Sequence, residues 1–310
     1  MKKITVCPED DSQKVFDGIT EPTEIFLKNG VYRQKLVLSK PDITLKGESR
    51  EGAIISYGDY AKKIHADGRE YNTFRTYTLC ITGENTRLEN LTVENCAPPP
   101  RIGGQCVALH VACKRFSAVN ADFKSTQDTI FLAPFPKDPI IKGWELVPPE
   151  QLSLEGECVH VFKDCKIYGT VDFIFGCSEA FFKDCDIISL ESKNGGYIAA
   201  PAHSLDRKIG FCFVDCRLLD GGAGSGVYLA RPWRDYGACA FVNCVTDGHL
   251  DGRLVNKWND TSRDKTARFS YYDLKGFNGN AEPWAKKLTA DEADAIVARC
   301  DKRLTECGLK

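Results

Sequence analysis

Six short segments repeat along this chain of 310 residues, and their spacing constrains the fold more than any other feature. Leu88-Glu89-Asn90-Leu91-Thr92-Val93 and Ala118-Val119-Asn120-Ala121-Asp122-Phe123 set the pattern. It returns as Phe162-Lys163-Asp164-Cys165-Lys166-Ile167 and Phe182-Lys183-Asp184-Cys185-Asp186-Ile187. Two more copies are Phe213-Val214-Asp215-Cys216-Arg217-Leu218 and Phe241-Val242-Asn243-Cys244-Val245-Thr246. Aligned on the Asn or Asp, the steps are 30, 44, 20, 31 and 28 residues. Each copy reads as a turn with an inward Asn or Asp, followed by a short strand of alternating polarity. One such strand cannot bury its face alone, so the units must stack. The expected fold is all-β, a right-handed parallel β-helix. Leucine-rich repeats fit less well, because the Leu-x-x-Leu-x-Leu spacing is missing. The Asn/Asp column is expected to hydrogen-bond along the stack and the recurrent Cys to line its interior.

The long step has a visible cause. Residues 133–157 hold five of the fourteen prolines (Pro134, Pro136, Pro139, Pro148, Pro149) and break all alternation, with Trp144 near the middle. The repeat resumes at Val159, so this is an insertion and the chain reads as a single domain over 1–310. Long loops in compact domains are usually functional. Ala97-Pro98-Pro99-Pro100 is a second proline-rich excursion. At the C-terminus Thr289-Ala290-Asp291-Glu292 reads as a capping box, with Ala293, Ile296, Val297, Cys300 and Leu304 at helical spacing. A short helix over about 289–306 is expected to cover solenoid surface. A second is expected within 11–17.

Composition narrows the function. Forty-one Lys and Arg against 43 Asp and Glu leave a net charge of -2, unlike a nucleic-acid binder. No apolar run approaches the ~18 residues of a membrane span. The N-terminus turns acidic before a signal-peptide core forms, which predicts a cytoplasmic protein unless a leader was removed. Fifteen cysteines, an odd number with no CxxC pair, read as reduced, buried thiols. The expected state is a monomer.

Serine-nucleophile, zinc-protease and phosphate-loop motifs are absent, and the five histidines stand singly. Carboxylates remain. Three strand-like clusters carry polar groups: Gln105-Cys106-Val107-Ala108-Leu109, Gln127-Asp128-Thr129-Ile130-Phe131, and Gly169-Thr170-Val171-Asp172-Phe173-Ile174-Phe175-Gly176. Gln105 and Gln127 are 22 residues apart, about one coil; Asp128 and Asp172 are 44 apart, one coil plus the insertion. Adjacent coils lie ~4.8 Å apart, so equivalent positions become neighbours. Two carboxylates that close cannot both ionise freely. Two glutamine amides beside them can donate to an oxyanion. In Tyr228-Leu229-Ala230-Arg231-Pro232-Trp233, Arg231 can fix one carboxylate and Trp233 can face a sugar ring.

These segments resemble pectin methylesterases, β-helical esterases that remove methyl groups from galacturonate esters. The resemblance is carried by Gly30-Val31-Tyr32, Gln105 to Leu109, Gln127-Asp128-Thr129, Gly169 to Gly176 and Leu229 to Trp233, and spans nearly the whole chain. It implies Asp172 as nucleophile, Asp128 as general acid and then base, Gln105 and Gln127 as oxyanion donors, and Arg231 as the partner of the nucleophile. Trp233 matches a substrate-binding aromatic. Thr73 and Tyr197 are cleft candidates by position; Phe173 and Phe175 alternate with Ile174, so one of them, Phe173, is a cleft candidate, with core packing the alternative role for either. Gln34 stands where the family usually has Glu, and Ala230 where it has Gly. The insertion after Asp128 is a feature of bacterial members. The resemblance implies no metal and no cofactor, with methylated homogalacturonan or oligogalacturonides as substrate. Two other readings stay open, a calcium-dependent pectate lyase-like protein and a non-catalytic uronate-binding β-helix.

Overall fold

The computed structural model describes residues 1–98, 103–136, 144–193, 195–259 and 261–309. Pro99, Pro100, Pro139 and the side chain of Trp144 lie outside the described residues. Strands recur in threes, and each third strand pairs with its counterpart one coil earlier. The result is three sheets of eleven, seven and eight strands. Pairing within each is parallel, as in Phe116↔His160, Phe123↔Ile167 and Phe131↔Phe175. This is the parallel β-helix that the repeats require, with the crossover hand expected of parallel strands.

Each repeat marks the corner between the eleven- and eight-stranded sheets. Asn90, Asn120, Asp164, Asp184, Asp215 and Asn243 all adopt left-handed backbone, with φ between 49° and 56°. Asn and Asp tolerate that conformation better than other side-chain-bearing residues, which explains the column. Asp273, at φ 43°, is a seventh copy. Its flanking Tyr272 and Leu274 replace the residues that made the others recognisable.

The column does not point inward. Asp164 and Asp184 are exposed and the others half-buried. Asn120 donates to Asn90 Oδ1 at 2.8 Å, whereas Asp184 and Asp215 share Lys183 Nζ at 2.8 and 2.7 Å. Backbone conformation, rather than an internal ladder, selects these residues. The next position is the one that lines the interior. Cys165, Cys185, Cys216 and Cys244 are buried, and each Sγ donates to a carbonyl of the preceding coil, for example Cys216 to Phe182 at 3.2 Å. Burial pushes the Cys165, Cys185 and Cys216 thiols up, so they stay protonated.

Inside the eleven-stranded sheet Phe162, Phe182, Phe213 and Phe241 form a parallel ring stack with centroids 4.8, 4.6 and 4.3 Å apart. Helix Ala290–Glu306 covers the outside of the same sheet. Its capping box is formed between Thr289 and Glu292, and Ala293, Cys300 and Leu304 are buried. Arg299 grips Glu179 with two bonds of 2.9 and 2.8 Å, and Arg303 adds a third contact at 3.2 Å. At the other end the short helix Ser12–Asp17 is capped by Asp11. The Gln13 and Gln34 side chains tie this end down by accepting from Val37 N and Ser12 N.

Candidate active site

The seven-stranded sheet carries the predicted Asp and Gln groups where the chain enters it from the eight-stranded sheet, and Arg231 just past the end of strand Val227–Ala230. Asp128 lies two residues before strand Ile130–Leu132, and Asp172 is the second residue of strand Val171–Gly176. The register Ile130↔Ile174 sets the two aspartates side by side on adjacent coils, and Asp128 N donates to Val171 O at 3.1 Å. Gln105 sits one coil earlier, since Cys106 N donates to Gln127 O at 3.0 Å. Asp128 (φ 63°) and Asp172 (φ 52°) both adopt left-handed backbone. A register shift between Val171 and Ile174 bends the strand at Asp172. Such bulges re-aim side chains near sites of chemistry.

Electrostatics separates the two carboxyls. They are only 8% and 6% exposed, too little for water to stabilise two charges side by side. Arg231 clamps Asp172 with both forks, Nε to Oδ1 at 2.7 Å and Nη2 to Oδ2 at 2.6 Å. Burial raises the Asp172 carboxyl above its ordinary range, and these hydrogen bonds with the guanidinium charge take back part of that rise. Asp128 lacks such a clamp. Burial first, and then the Asp172 charge, push its carboxyl well above the ordinary range, against weaker pulls from Arg231 and the Gln127 amide. The arrangement therefore holds one proton on Asp128 beside an Arg-bound Asp172 carboxylate.

Aromatic side chains wall the site. Phe74, in the turn Thr73–Arg75, packs edge-on against Phe131 and Phe135 at 5.0 and 4.7 Å. Phe175 continues the wall to Trp233 at 5.9 Å. Val147, Leu152 and Leu154 of the insertion join this cluster, so its described second half packs down on the outer face of the site sheet. Its short helix Pro149–Leu152 buries Gln151, whose Nε2 donates to Cys80 Sγ at 3.8 Å. The Arg231 guanidinium lies between two rings, 4.0 Å from Tyr197 and 3.9 Å from Trp258.

The structure thus brings Asp128, Asp172, Gln105, Gln127 and Arg231 to one place, with half-buried Trp233 beside them. Thr73 is half-buried in the turn that presents Phe74. Phe173 is a correction: it is fully buried in the main core and unavailable to a substrate. The bulge at Asp172 turns Phe173 inward and Phe175 toward the wall. Tyr197 is a second correction. Arg231 covers one face and Tyr228, stacked at 5.2 Å and 12°, covers the other, so no ring face remains for a sugar. Trp258 was invisible in the sequence, because it follows the last clear repeat in a segment without alternation. The histidines are structural where buried: burial depresses His110 to about 3, and His160 and His203 to about 4.

The family model named Pectinesterase matches residues 9–135 and 158–289. The chain belongs to the pectinesterase family. Both matched stretches carry catalytic candidates, and the gap between them falls within the insertion. Among curated pectinesterases, Pectinesterase QRT1 of Arabidopsis thaliana is 29% identical over 305 residues, covering 96% of this chain and 71% of that protein. Pectinesterase A of Dickeya dadantii (strain 3937) is 28% identical over 306 residues, covering 88% and 80%. The crystal structure of a pectin methylesterase in complex with hexasaccharide VII shares the fold, with TM-score 0.76, 23% identity and 95% of each chain covered.

Proposed function

We propose that this pectinesterase-family protein hydrolyses methyl esters of galacturonate in pectin or pectic oligosaccharides and releases methanol. One observation carries the reading: a buried carboxylate gripped by both forks of a half-buried Arg, beside a second carboxyl that must keep its proton. Asp172 attacks the ester carbonyl carbon, and the carbonyl oxygen takes the negative charge within reach of the Gln105 and Gln127 amides. As the intermediate collapses, the C–O bond to the methoxy group breaks and Asp128 gives that oxygen its proton. An acyl-enzyme on Asp172 and methanol result. Asp128, now a carboxylate, takes a proton from water, which attacks the acyl carbon. The second tetrahedral adduct expels the Asp172 carboxylate, Asp128 keeps the proton it took from water, and the product acid gives its remaining proton to solvent and leaves as a carboxylate. The oligosaccharide in the complex of the related fold agrees with an extended sugar chain as substrate.

Methanol release from methylated pectin tests the reading. Calcium-dependent formation of unsaturated products would favour a lyase, and oligogalacturonate binding without methanol a non-catalytic protein. The pH dependence follows from the pair. Activity is expected to fall on the alkaline side as Asp128 loses its proton, and on the acid side as Asp172 gains one. Arg231→Leu removes the groups that favour the Asp172 charge, so the acid limb should move to higher pH. An unchanged limb in that variant would remove Arg231 from its role.

The insertion supports a preference for chain length. Its ends flank Asp128 and Asp172 in sequence, and its apolar side chains build part of the aromatic wall. The expected result is a higher kcat/KM on short methylated oligomers than on polymer. The gap should close when residues 136–154 are replaced by a Gly/Ser link; equal efficiency in the intact protein would refute the gating role. The bacterial type rests on this insertion alone, since plant and bacterial relatives match at nearly the same identity. Twelve buried cysteines, all free thiols among the described residues, support work in a reducing compartment.

A further inference from the structure

Arg231 reaches Asp172 across an intervening coil. Asp172 lies on strand Val171–Gly176, Tyr197 on the next strand, Gly196–Pro201, and Arg231 just beyond Val227–Ala230. An Arg side chain spanning that distance has many rotamers to lose. Two parallel bonds to one carboxylate also demand a fixed guanidinium plane. The plane is set by rings on both faces, Tyr197 at 4.0 Å and Trp258 at 3.9 Å.

Each ring is itself held. Tyr197 is backed by Tyr228, and Tyr228 by Arg253, whose Cζ lies 5.1 Å from the ring centroid and which also bonds the Tyr228 hydroxyl. Arg253 is anchored in turn on Asp251, with Nε at 3.0 Å. On the other side Trp258 has φ 69°, a costly backbone for a bulky residue that persists only where the surroundings enforce it. Its amide donates to Asn256 Oδ1 at 2.9 Å, and Asn256 N donates to Ala230 O at 3.1 Å, which ties the indole to the strand carrying Arg231.

We propose that Tyr197 and Trp258 are positioning residues for the esterase reaction, a two-sided aromatic clamp that holds the Arg231 guanidinium coplanar with the Asp172 carboxylate. The inference rests on the catalytic reading above. Neither ring needs to touch the substrate. The charged and titratable groups facing this unit are Asp172, Asp128 and the Tyr197 phenol around Arg231, and Arg231 and Asp128 around Asp172. Loosening the clamp weakens the force that keeps Asp172 ionised, and leaves the Gln105 and Gln127 donors in place.

The test compares Tyr197→Leu and Trp258→Leu with Tyr197→Phe and Trp258→Phe. The two Leu variants act on opposite faces of Arg231, so either one that folds, judged by circular dichroism, is sufficient. The expected result is a roughly tenfold loss of kcat with KM within about twofold, and an acid limb moved up by ~0.5–1 pH unit. The Phe variants keep a ring face and should restore most of both. A 13C-carboxyl NMR titration of Asp172 reads the same shift without turnover. Absence of methanol release by the unaltered protein would defeat the catalytic reading, and the NMR shift would still decide the clamp. Folded Leu variants with an unmoved Asp172 titration and acid limb would overturn the inference, whatever happens to KM.

Discussion

Asp172→Ala is expected to abolish methanol release, by more than roughly 10⁴-fold in kcat, and to leave the solenoid folded. The side chain supplies the attacking oxygen, and no other described carboxylate is clamped by Arg231. Asp128→Asn should be as damaging, because the amide can neither protonate methanol nor activate water. The second variant has a further signature. Burial and the Asp172 charge raise the Asp128 pKa in the folded state, so the native protein holds a proton that the unfolded chain releases at about pH 4. Above that value the native state binds more protons than the unfolded one, and stability falls as pH rises toward the folded-state pKa. An amide at this position does not titrate and carries no such penalty. The Asp128→Asn protein should therefore unfold at a higher temperature than the unaltered protein, with the gap widening as pH rises above about 4 toward the folded-state pKa. Retained turnover in Asp172→Ala would dismantle the mechanism; a gap that narrows with pH would show that Asp128 is ionised in the folded protein.

The glutamines should show the next largest effects. Removing one oxyanion donor typically costs ~2.7–4 kcal/mol, or 10²–10³ in kcat, so Gln105→Ala and Gln127→Ala are each expected to lose about that much with little change in KM. Their pH profiles should differ. The Gln127 amide favours the charged form of Asp128, so its removal raises the Asp128 pKa and carries the alkaline limb to higher pH. Gln105→Ala should leave that limb in place. Steady-state kinetics across pH separate the two, and identical profiles would mean that Gln127 does not address Asp128.

Much of this was readable from the chain because a parallel coil converts sequence distance into spatial distance. Asp128 and Asp172 are 44 residues apart and meet because the insertion adds length without changing register. The buried Cys column was legible for the same reason. Direction was harder to read. The Asn/Asp column recurs because its corner requires left-handed backbone, a property that spacing alone does not distinguish from an inward ladder. Phe173 follows the alternation expected of a cleft residue and Tyr197 has the position of one, yet a one-residue bulge buries the first, and stacking partners from later coils cover the second. Trp258 belongs to a stretch where repetition has lapsed, and its role depends on a contact with Arg231 that no local pattern encodes.

The two aspartates owe their separation to the hydrogen-bonded spacing of neighbouring coils and not to the loops that join them. That makes the reactive geometry independent of loop length: the segment leaving after Asp128 and returning before Asp172 can grow, shrink or be exchanged while the carboxyls keep their distance. Substrate choice and chemical competence are then inherited through different parts of the chain. A library of grafted loops at 136–154 would explore new ester substrates with the reaction centre as a constant background, which few enzyme scaffolds built on loop-borne catalytic residues allow.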